Sequence, residues 1–358
     1  MHAISTIKIV AIAIAGSAAS QSHAQWSVTS LHPSGASYSI ALSGSGSNQV
    51  GAAFFGGTAS ALLWSGSGSS WVNLTPTGAS GGVALGADGN RQIGYATFGG
   101  QGRAGVWTGS SSSWVDLNPT GAGSSFAHAG DGGRQVGRAV MGNQSRAGLW
   151  SGTAASFVDL HPTGYRASGA EDISGSQQVG WVEPTGNGGP FASLWTDTAA
   201  SWVNLNPTES VHSRATGTNG TQQVGLVFVG GINRAALWSG TAASWVDLNP
   251  MGSVSSSAYA IDGVFQVGVA TVGGVSRASL WSGTAASWVD LHALLPSNYN
   301  YSEARSVWSD GVNTYVSGIG ANATTGDFEA LLWTQPIPAP GAVALLGLGG
   351  LFAARRRR

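Results

Sequence analysis

Short stretches of alternating apolar and polar residues, separated by glycine-rich turns, make up most of the chain. One unit of this pattern is seen at residues 257–261, 265–270, 277–281 and 288–291. Each stretch has the length of a β-strand, and Asp262-Gly263 and Gly273-Gly274 supply the positive φ angles that tight hairpins require. The pattern therefore predicts an antiparallel sheet of four strands.

The same pattern recurs with a period of 43 residues. Its clearest mark is a tryptophan at the end of the third stretch, and successive marks are 43, 43, 45, 43, 43 and 52 residues apart. The marks are Trp64, Trp107, Trp150, Trp195, Trp238, Trp281 and Trp333. Such repeats are typical of β-propeller blades, because one blade cannot bury its own faces and must stack against neighbours. The sequence predicts one all-β domain over residues 25–335, a seven-bladed β-propeller of four-stranded blades.

The two ends of the repeat region predict how the ring closes. Residues 26–31 match a fourth strand but precede any complete unit, while the last unit is longer and carries an insertion around residues 294–301. We expect residues 26–31 to pair with residues 330–333. This pairing would complete the last blade and remove exposed sheet edges.

Three blocks within each unit resemble a known repeat. In the fifth unit they are Gln223-Val224-Gly225, the Arg-Ala-Ala-Leu-Trp sequence at 234–238, and Val246-Asp247-Leu248. These blocks look like the extracellular HAF-type repeat, although this chain has Arg-Ala and a small residue where that family has His-Ala-Phe. The resemblance covers the whole mature domain. It implies the propeller fold and an extracellular setting, but no activity.

The N-terminus predicts export. Residues 1–24 contain Lys8, an apolar run at 9–15 and Ser22-His23-Ala24, which places small residues at the positions that signal peptidase requires. We expect signal peptidase to cut between Ala24 and Gln25.

The C-terminal segment 336–358 has three parts in order. A Pro-rich motif comes first, an apolar helix follows over residues 342–354, and four arginines end the chain. The residues of the motif and the cluster are Pro338, Ala339, Pro340, Gly341, Arg355, Arg356, Arg357 and Arg358. This order resembles the PEP-CTERM sorting tail of Gram-negative bacteria, with Ala339 in place of the usual Glu. The resemblance implies processing by an exosortase-type membrane protease and a link to exopolysaccharide-producing bacteria.

The tail also predicts a membrane orientation. Four arginines after an apolar helix stay on the cytoplasmic side, so the propeller would lie outside the cytoplasm. Residues 341–354 span about 21 Å as a helix against a hydrocarbon core of about 30 Å. We therefore expect a transient or permanent anchor in the inner membrane, followed by a cell-surface or extracellular location.

Composition narrows the classes of partner and chemistry. Charged residues make up 9% of the chain, against about 25% in average soluble domains, and the net charge is −1. Lys8 is the only lysine, so the mature domain offers no basic stripe for nucleic acid. The absence of cysteine excludes disulfides, thiolate metal sites and cysteine catalysis.

Recurring Trp and Arg residues have both a structural and a binding interpretation. The tryptophans could stack on sugar rings, but we favour packing between blades. Four arginines recur at one blade position and could hold an anionic polysaccharide. They could also pair with recurring aspartates, and we favour this structural pairing. The arginines are Arg103, Arg146, Arg234 and Arg277, and the aspartates are Asp116, Asp159, Asp247 and Asp290.

We find no catalytic residue, metal ligand or cofactor site in the sequence. His32, His161 and His292 occupy a position that carries Asn or Thr in other units, which indicates a turn former, and His128, His212 and Glu303 share no motif. The first hypothesis is a non-enzymatic exported propeller, and the second is a lectin-like binder of anionic exopolysaccharide. The third is a polysaccharide lyase or glycoside hydrolase at the axis, which would need two or more ionisable side chains converging in one pocket.

Overall fold

The computed structural model describes residues 25–186 and 188–337. The predicted signal segment 1–24 and the sorting residues from Pro338 to Arg358 lie outside this range. Within it, no helix is long and apolar enough to cross a membrane. The last strand ends at Pro336, one residue beyond the predicted domain end, and the Ile337 amide donates to the Val312 carbonyl over 2.8 Å.

The described chain forms seven units of four antiparallel strands, which confirms the predicted meander. The first strands are Tyr38–Ser45, Gly81–Asp88, Ala122–Asp131, Ala167–Ser174, His212–Thr218, Ser253–Asp262 and Tyr299–Ser309. The second strands are Asn48–Phe55, Arg91–Phe98, Arg134–Met141, Gln177–Glu183, Gln223–Val229, Phe265–Val272 and Asn313–Asn322. The third strands are Thr58–Trp64, Gln101–Trp107, Gln144–Trp150, Phe191–Thr196, Ile232–Trp238, Val275–Trp281 and Phe328–Pro336.

The fourth strands are short. They are Val72–Asn73, Val115–Asp116, Val158–Asp159, Val203–Asn204, Val246–Asp247, Val289–Asp290 and, for the seventh unit, Ser27–Ser30. Single-turn 3₁₀ helices precede five of them, at Ser111–Ser113, Ala154–Ser156, Ala199–Ser201, Ala242–Ser244 and Ala285–Ser287. A sixth, His292–Leu294, follows Val289–Asp290.

The first strand of the chain closes the ring. Ser27–Ser30 pairs antiparallel with the last strand, with Ser27 opposite Thr334 and Ser30 opposite Leu331. The Leu31 amide continues the ladder by donating to the Ala330 carbonyl over 2.8 Å. Each unit contacts the next, and the seventh contacts the first, so the units form a closed ring. The predicted closure is confirmed.

The core lies between units. Trp238 of the fifth unit, for example, lies in one apolar cluster with Leu194 and Leu205 of the fourth. The seven marker tryptophans are all fully buried in this way, which confirms their packing role. Each buries about 150 to 250 Å², which is about 4 to 6 kcal/mol as an upper bound. Because these cores lie between neighbouring sheets, the side chains that line the axis of the ring are a separate set of residues.

The Gln-Val-Gly block of the second strand has a steric cause. A Cβ atom on Gly225 would lie 1.9 Å from the Arg214 carbonyl oxygen, and the corresponding glycines of the other six units are as tightly placed. The glutamine holds the turn that follows the third strand. In the fifth unit the Gly240 amide donates to Gln223 Oε1 over 2.8 Å.

Candidate functional site

Every first strand carries a β-bulge at the same place. The pairing with the second strand shifts register by one residue there, so that one extra residue stands outside the ladder in each unit. These residues, which we call the bulge ring, are Leu42, Leu85, His128, Glu171, Thr216, Tyr259 and Arg305. The residue before each of them is always a buried alanine. The alanine is thus constant from unit to unit, whereas the residue after it varies in size and charge.

The bulge ring surrounds the axis. Five of its side chains line a single cavity of about 230 Å³, although they come from five different units. They are Leu42, Leu85, His128, Tyr259 and Arg305. Only the centre of a ring brings five units together. The cavity is therefore axial, and it contains three ionisable side chains.

His128 and Glu171 form a pair between neighbouring units. His128 Nδ1 lies 3.1 Å from Glu171 Oε2 and 2.9 Å from the Ala170 carbonyl, while Trp181 Nε1 donates to Glu171 Oε1 over 2.8 Å. Burial acts to raise the pKa of Glu171, but His128, Trp181 and Arg214 together outweigh it and hold the pKa below its usual value. Glu171 is therefore an ionised, fully engaged carboxylate.

Tyr259 and Arg305 form a second pair between neighbouring units. The Arg305 guanidinium lies 4.6 Å from the centre of the Tyr259 ring and also pairs with Glu303, which accepts a hydrogen bond from the Tyr301 hydroxyl. Burial raises the pKa of Tyr259 to about 12, an effect that Glu303 strengthens and Arg305 opposes. The Tyr259 hydroxyl is therefore a neutral hydrogen-bond donor at physiological pH.

Two more arginines stack on aromatic rings beside the bulge ring. Arg138 lies 5.0 Å from the centre of the Phe126 ring, directly across the strand pair. Arg214 lies 4.9 Å from the centre of the Trp181 ring, and Trp181 occupies the space left by Gly169 opposite it. Phe126 and Arg214 each stand two residues before a bulge, and so on the same strand face as the bulge residue. Of the three arginine–aromatic pairs, Tyr259 with Arg305 lines the axial cavity, and the other two lie beside the bulge ring.

The two mouths of the channel differ in chemistry. One mouth is a cavity of about 350 Å³ that all seven units line with the ends of their first strands. Its described lining includes Asp88, Asp131, Asp172 and Asp262, and no arginine or lysine. Backbone amides of the next unit hold three of these carboxylates, for example Thr218 to Asp172 over 2.8 Å. We call this end the acidic mouth.

Burial raises the pKa values of two carboxylates of the acidic mouth, Asp262 and, to a larger extent, Asp172. Burial raises the pKa of Asp172 to about 7, although amide hydrogen bonds from Thr218 and Ile173 oppose the shift and Asp131 and Glu171 add to it. Asp172 therefore titrates near neutral pH.

Aromatic side chains lie on the opposite side of the bulge ring. We call this end, with Tyr38, Phe54, Tyr301 and Phe328, the aromatic mouth. A cavity of about 420 Å³ between the first two units is lined by Tyr38, Ile40, Phe54 and Val83, and it reaches Leu42 of the bulge ring. Tyr38 contacts the rings of Phe54 and Phe328 at centroid distances of 5.3 and 5.8 Å. Tyr301, at the end of the predicted 294–301 insertion, lies 5.7 Å from Phe328.

The arginines singled out in the sequence lie elsewhere, across the third and fourth strands. Arg103, Arg146, Arg234 and Arg277 pair with Asp116, Asp159, Asp247 and Asp290, with distances of 3.0, 2.7, 2.7 and 2.7 Å between a guanidinium nitrogen and a carboxylate oxygen. The favoured structural pairing is confirmed. An anionic ligand at this position would have to compete with a carboxylate already in place.

The histidines that follow the fourth strands join neighbouring units. Ser168, for example, accepts from the Ala147 amide over 2.8 Å and bonds His161 Nδ1 over 2.8 Å. Ser256 makes the same two contacts with the Ala235 amide and Asn249. Because histidine and asparagine make equivalent contacts here, the predicted turn-forming role is confirmed. Within the described residues no group of three His, Asp or Glu could hold a metal ion.

The axial residues were not predicted from the sequence. His128 and Glu303 share no motif there, and Glu171, Tyr259 and Arg305 do not stand out. The available signal was the residue that follows the repeated alanine, because its identity differs in every unit except the first two. The chemical meaning of this position becomes clear only when the bulge is seen to turn the residue toward the axis.

Comparison with known proteins supports the fold. No protein-family model and no curated protein sequence matches the chain. The β-propeller domain of the Trilobed protease from Pyrococcus furiosus is similar, with a TM-score of 0.56 at 10% identity over 85% of this chain and 98% of that one. The Pyrococcus horikoshii acylaminoacyl peptidase has a TM-score of 0.53 at 10% identity, over 86% of this chain and 53% of that one.

TolB from Acinetobacter baumannii is also similar, with a TM-score of 0.43 at 13% identity over 58% of this chain. The chain spans about half the length of TolB and of the acylaminoacyl peptidase. At these identities the comparisons establish the architecture alone. The chain is an all-β protein with the architecture of a β-propeller.

Proposed function

We propose that this chain is an exported β-propeller that binds an acidic polysaccharide at its axial channel and does not catalyse a reaction. The observation that carries the proposal is the bulge ring. Six of the seven units share their framework closely, yet the bulge residue differs among all units except the first two. Three of the bulge residues that line the axial cavity are ionisable, namely His128, Tyr259 and Arg305. Side chains that only fill space would not require this variety.

The axial side chains favour an acidic sugar. Arg138 and Arg214 provide cationic donors that match a carboxylate, and each is backed by an aromatic ring. Arg305 is also cationic, but a sugar carboxylate would have to compete there with Glu303. The aromatic mouth adds ring faces that a sugar can stack on, including Phe328, which is 38% exposed. The site is thus at the axis and not at the outer Arg–Asp pairs.

A titration with matched polymers tests this proposal. The purified mature chain is mixed with polygalacturonate or with dextran, which has no charge, and binding is followed by calorimetry. We expect saturable binding of the acidic polymer alone, and weaker binding as salt rises because part of the attraction is ionic. Equal binding of both polymers, or of neither, would contradict the proposal.

Export and sorting are proposed on the sequence. The segment 1–24, the Pro-rich motif and the arginine cluster support removal by signal peptidase, insertion in the inner membrane and processing by an exosortase-type protease. Intact mass in hosts with and without the protease tests this part. An unchanged, membrane-bound mass in both hosts would mean that the tail is an ordinary anchor.

A polysaccharide lyase is the second candidate, because His128, Tyr259 and Arg305 meet in one cavity. This convergence fulfils the condition set for an axial enzyme. Such an enzyme would remove the proton beside a uronate carboxylate and expel the glycosidic oxygen, leaving a carbon–carbon double bond. A rise in ultraviolet absorbance on incubation with polygalacturonate would support it. A glycoside hydrolase is less favoured, because Glu171 has a lowered pKa and general acids in such enzymes have raised ones.

A further inference from the structure

We infer that the axial channel recognises the end of an acidic polysaccharide chain and does not bind its interior. This inference rests on the proposed function and specifies the part of the ligand that enters. It follows from the size of the axial cavity and from the different chemistry of the two mouths.

The axial cavity holds only a small group. Its volume is about 230 Å³, whereas pockets for drug-sized ligands have about 300 to 1,000 Å³. One sugar ring with its carboxylate fits this space, and a run of linked sugars does not. Tyr259 and Arg305 both line it, and a phenol hydroxyl and a guanidinium are groups that bind a ring hydroxyl and a carboxylate.

Passage of an anionic chain toward the acidic side is unfavourable. Along each first strand the bulge residue is followed by the strand end that lines the acidic mouth. An anionic chain that passed through would bring its carboxylates against four aspartates, and like charges repel strongly where water is limited.

The aromatic mouth lies next to the axial cavity. The cavity lined by Tyr38, Phe54 and Val83 has Leu42 of the bulge ring in common with the axial cavity. Its volume is about 420 Å³, larger than that of the axial cavity. The terminal acidic sugar therefore enters from the aromatic mouth, and the sugars that follow it lie against the aromatic rings.

Stoichiometry along a length series tests end recognition. Oligogalacturonides of increasing length and the polymer are mixed with the mature chain, and the number of protein molecules on each carbohydrate chain is measured by sedimentation velocity. We expect one protein per chain at every length, and a Kd per chain that stops improving after about three sugars. A protein count that grows with chain length would overturn end recognition while leaving the proposed function intact.

Modification of the ends gives a second readout. One sample has its reducing end converted to an alditol, and another has its non-reducing terminal sugar made unsaturated. One of the two changes should weaken binding by about tenfold or more, and the other should have little effect. End recognition is wrong if neither change matters. If unmodified oligomers do not bind at all, the proposed function fails as well.

Discussion

At the scale of single residues, the repeated and the variable positions have different causes. The glycine of each Gln-Val-Gly block is fixed because the bulged first strand brings a carbonyl oxygen against its Cα. The axial residue is free to vary because it stands outside the hydrogen-bond ladder. The bulge thus requires glycine at one position of the second strand, and it leaves the bulge residue of the first strand free to vary.

Replacing Gly225 by alanine should destabilise the fold. The new Cβ would lie 1.9 Å from the Arg214 carbonyl, and relieving this overlap costs about 2 to 3 kcal/mol. Gly123→Ala is the matched control, because no atom lies within 4 Å of its Cβ position, and it should change stability by less than about 0.5 kcal/mol. Urea unfolding measures both. Equal stability of the two variants would refute the steric account.

Asp172 should make the stability of the fold depend on pH near neutrality. Its pKa of about 7 in the fold exceeds the value of about 3.9 in an unfolded chain, so the folded state holds the proton more tightly. This contribution is fully present below about pH 4 and is lost as the pH rises through about 7. The native chain should therefore lose more stability than Asp172→Asn between about pH 5 and pH 8.

Chemical denaturation at both pH values measures this difference. Asp310→Asn is the control, because amides of Asn313 and Val312 hold the pKa of Asp310 below its usual value. Its stabilising contribution is lost only as the pH falls into the acid range. Parallel pH profiles of the native chain and Asp172→Asn would contradict the assignment.

At the scale of elements, the strand that closes the ring was predictable and the bulge was not. Residues 26–31 carry the fourth-strand pattern without the three strands that should precede it, so the sequence itself indicates a strand that must pair elsewhere. A bulge changes pairing register and leaves little trace in the alternation of apolar and polar residues. The residues at the bulge therefore looked like unrelated singletons.

A circular permutant tests the closure. Deleting residues 25–31 should lower the melting temperature and cause association, because it exposes the edge of Phe328–Pro336 and removes the fully buried Leu31. Moving the same residues to follow residue 337 through a short linker should restore both the melting temperature and the monomeric state. A permutant that behaves like the deletion would show that closure contributes little.

At the scale of the whole molecule, the closed ring determines where a ligand can bind. The marker tryptophans are buried between units, and Arg103 and its three equivalents are held in ion pairs, so neither set is available to a ligand. These residues could be identified from the sequence because they recur at a fixed spacing along the chain. The axial site instead combines one bulge residue from each unit. These residues lie far apart in the sequence and become neighbours only when the ring closes.

The most direct test of the axial account is the affinity of two arginine variants for an acidic oligosaccharide. Arg214→Gln removes a guanidinium beside the axis, and Arg103→Gln removes one that pairs with Asp116 at the fourth strand. Calorimetry should show binding weakened about tenfold or more by Arg214→Gln and less than about twofold by Arg103→Gln, with melting temperatures close to that of the native chain. The reverse order would place the ligand at the outer arginines and contradict an axial site.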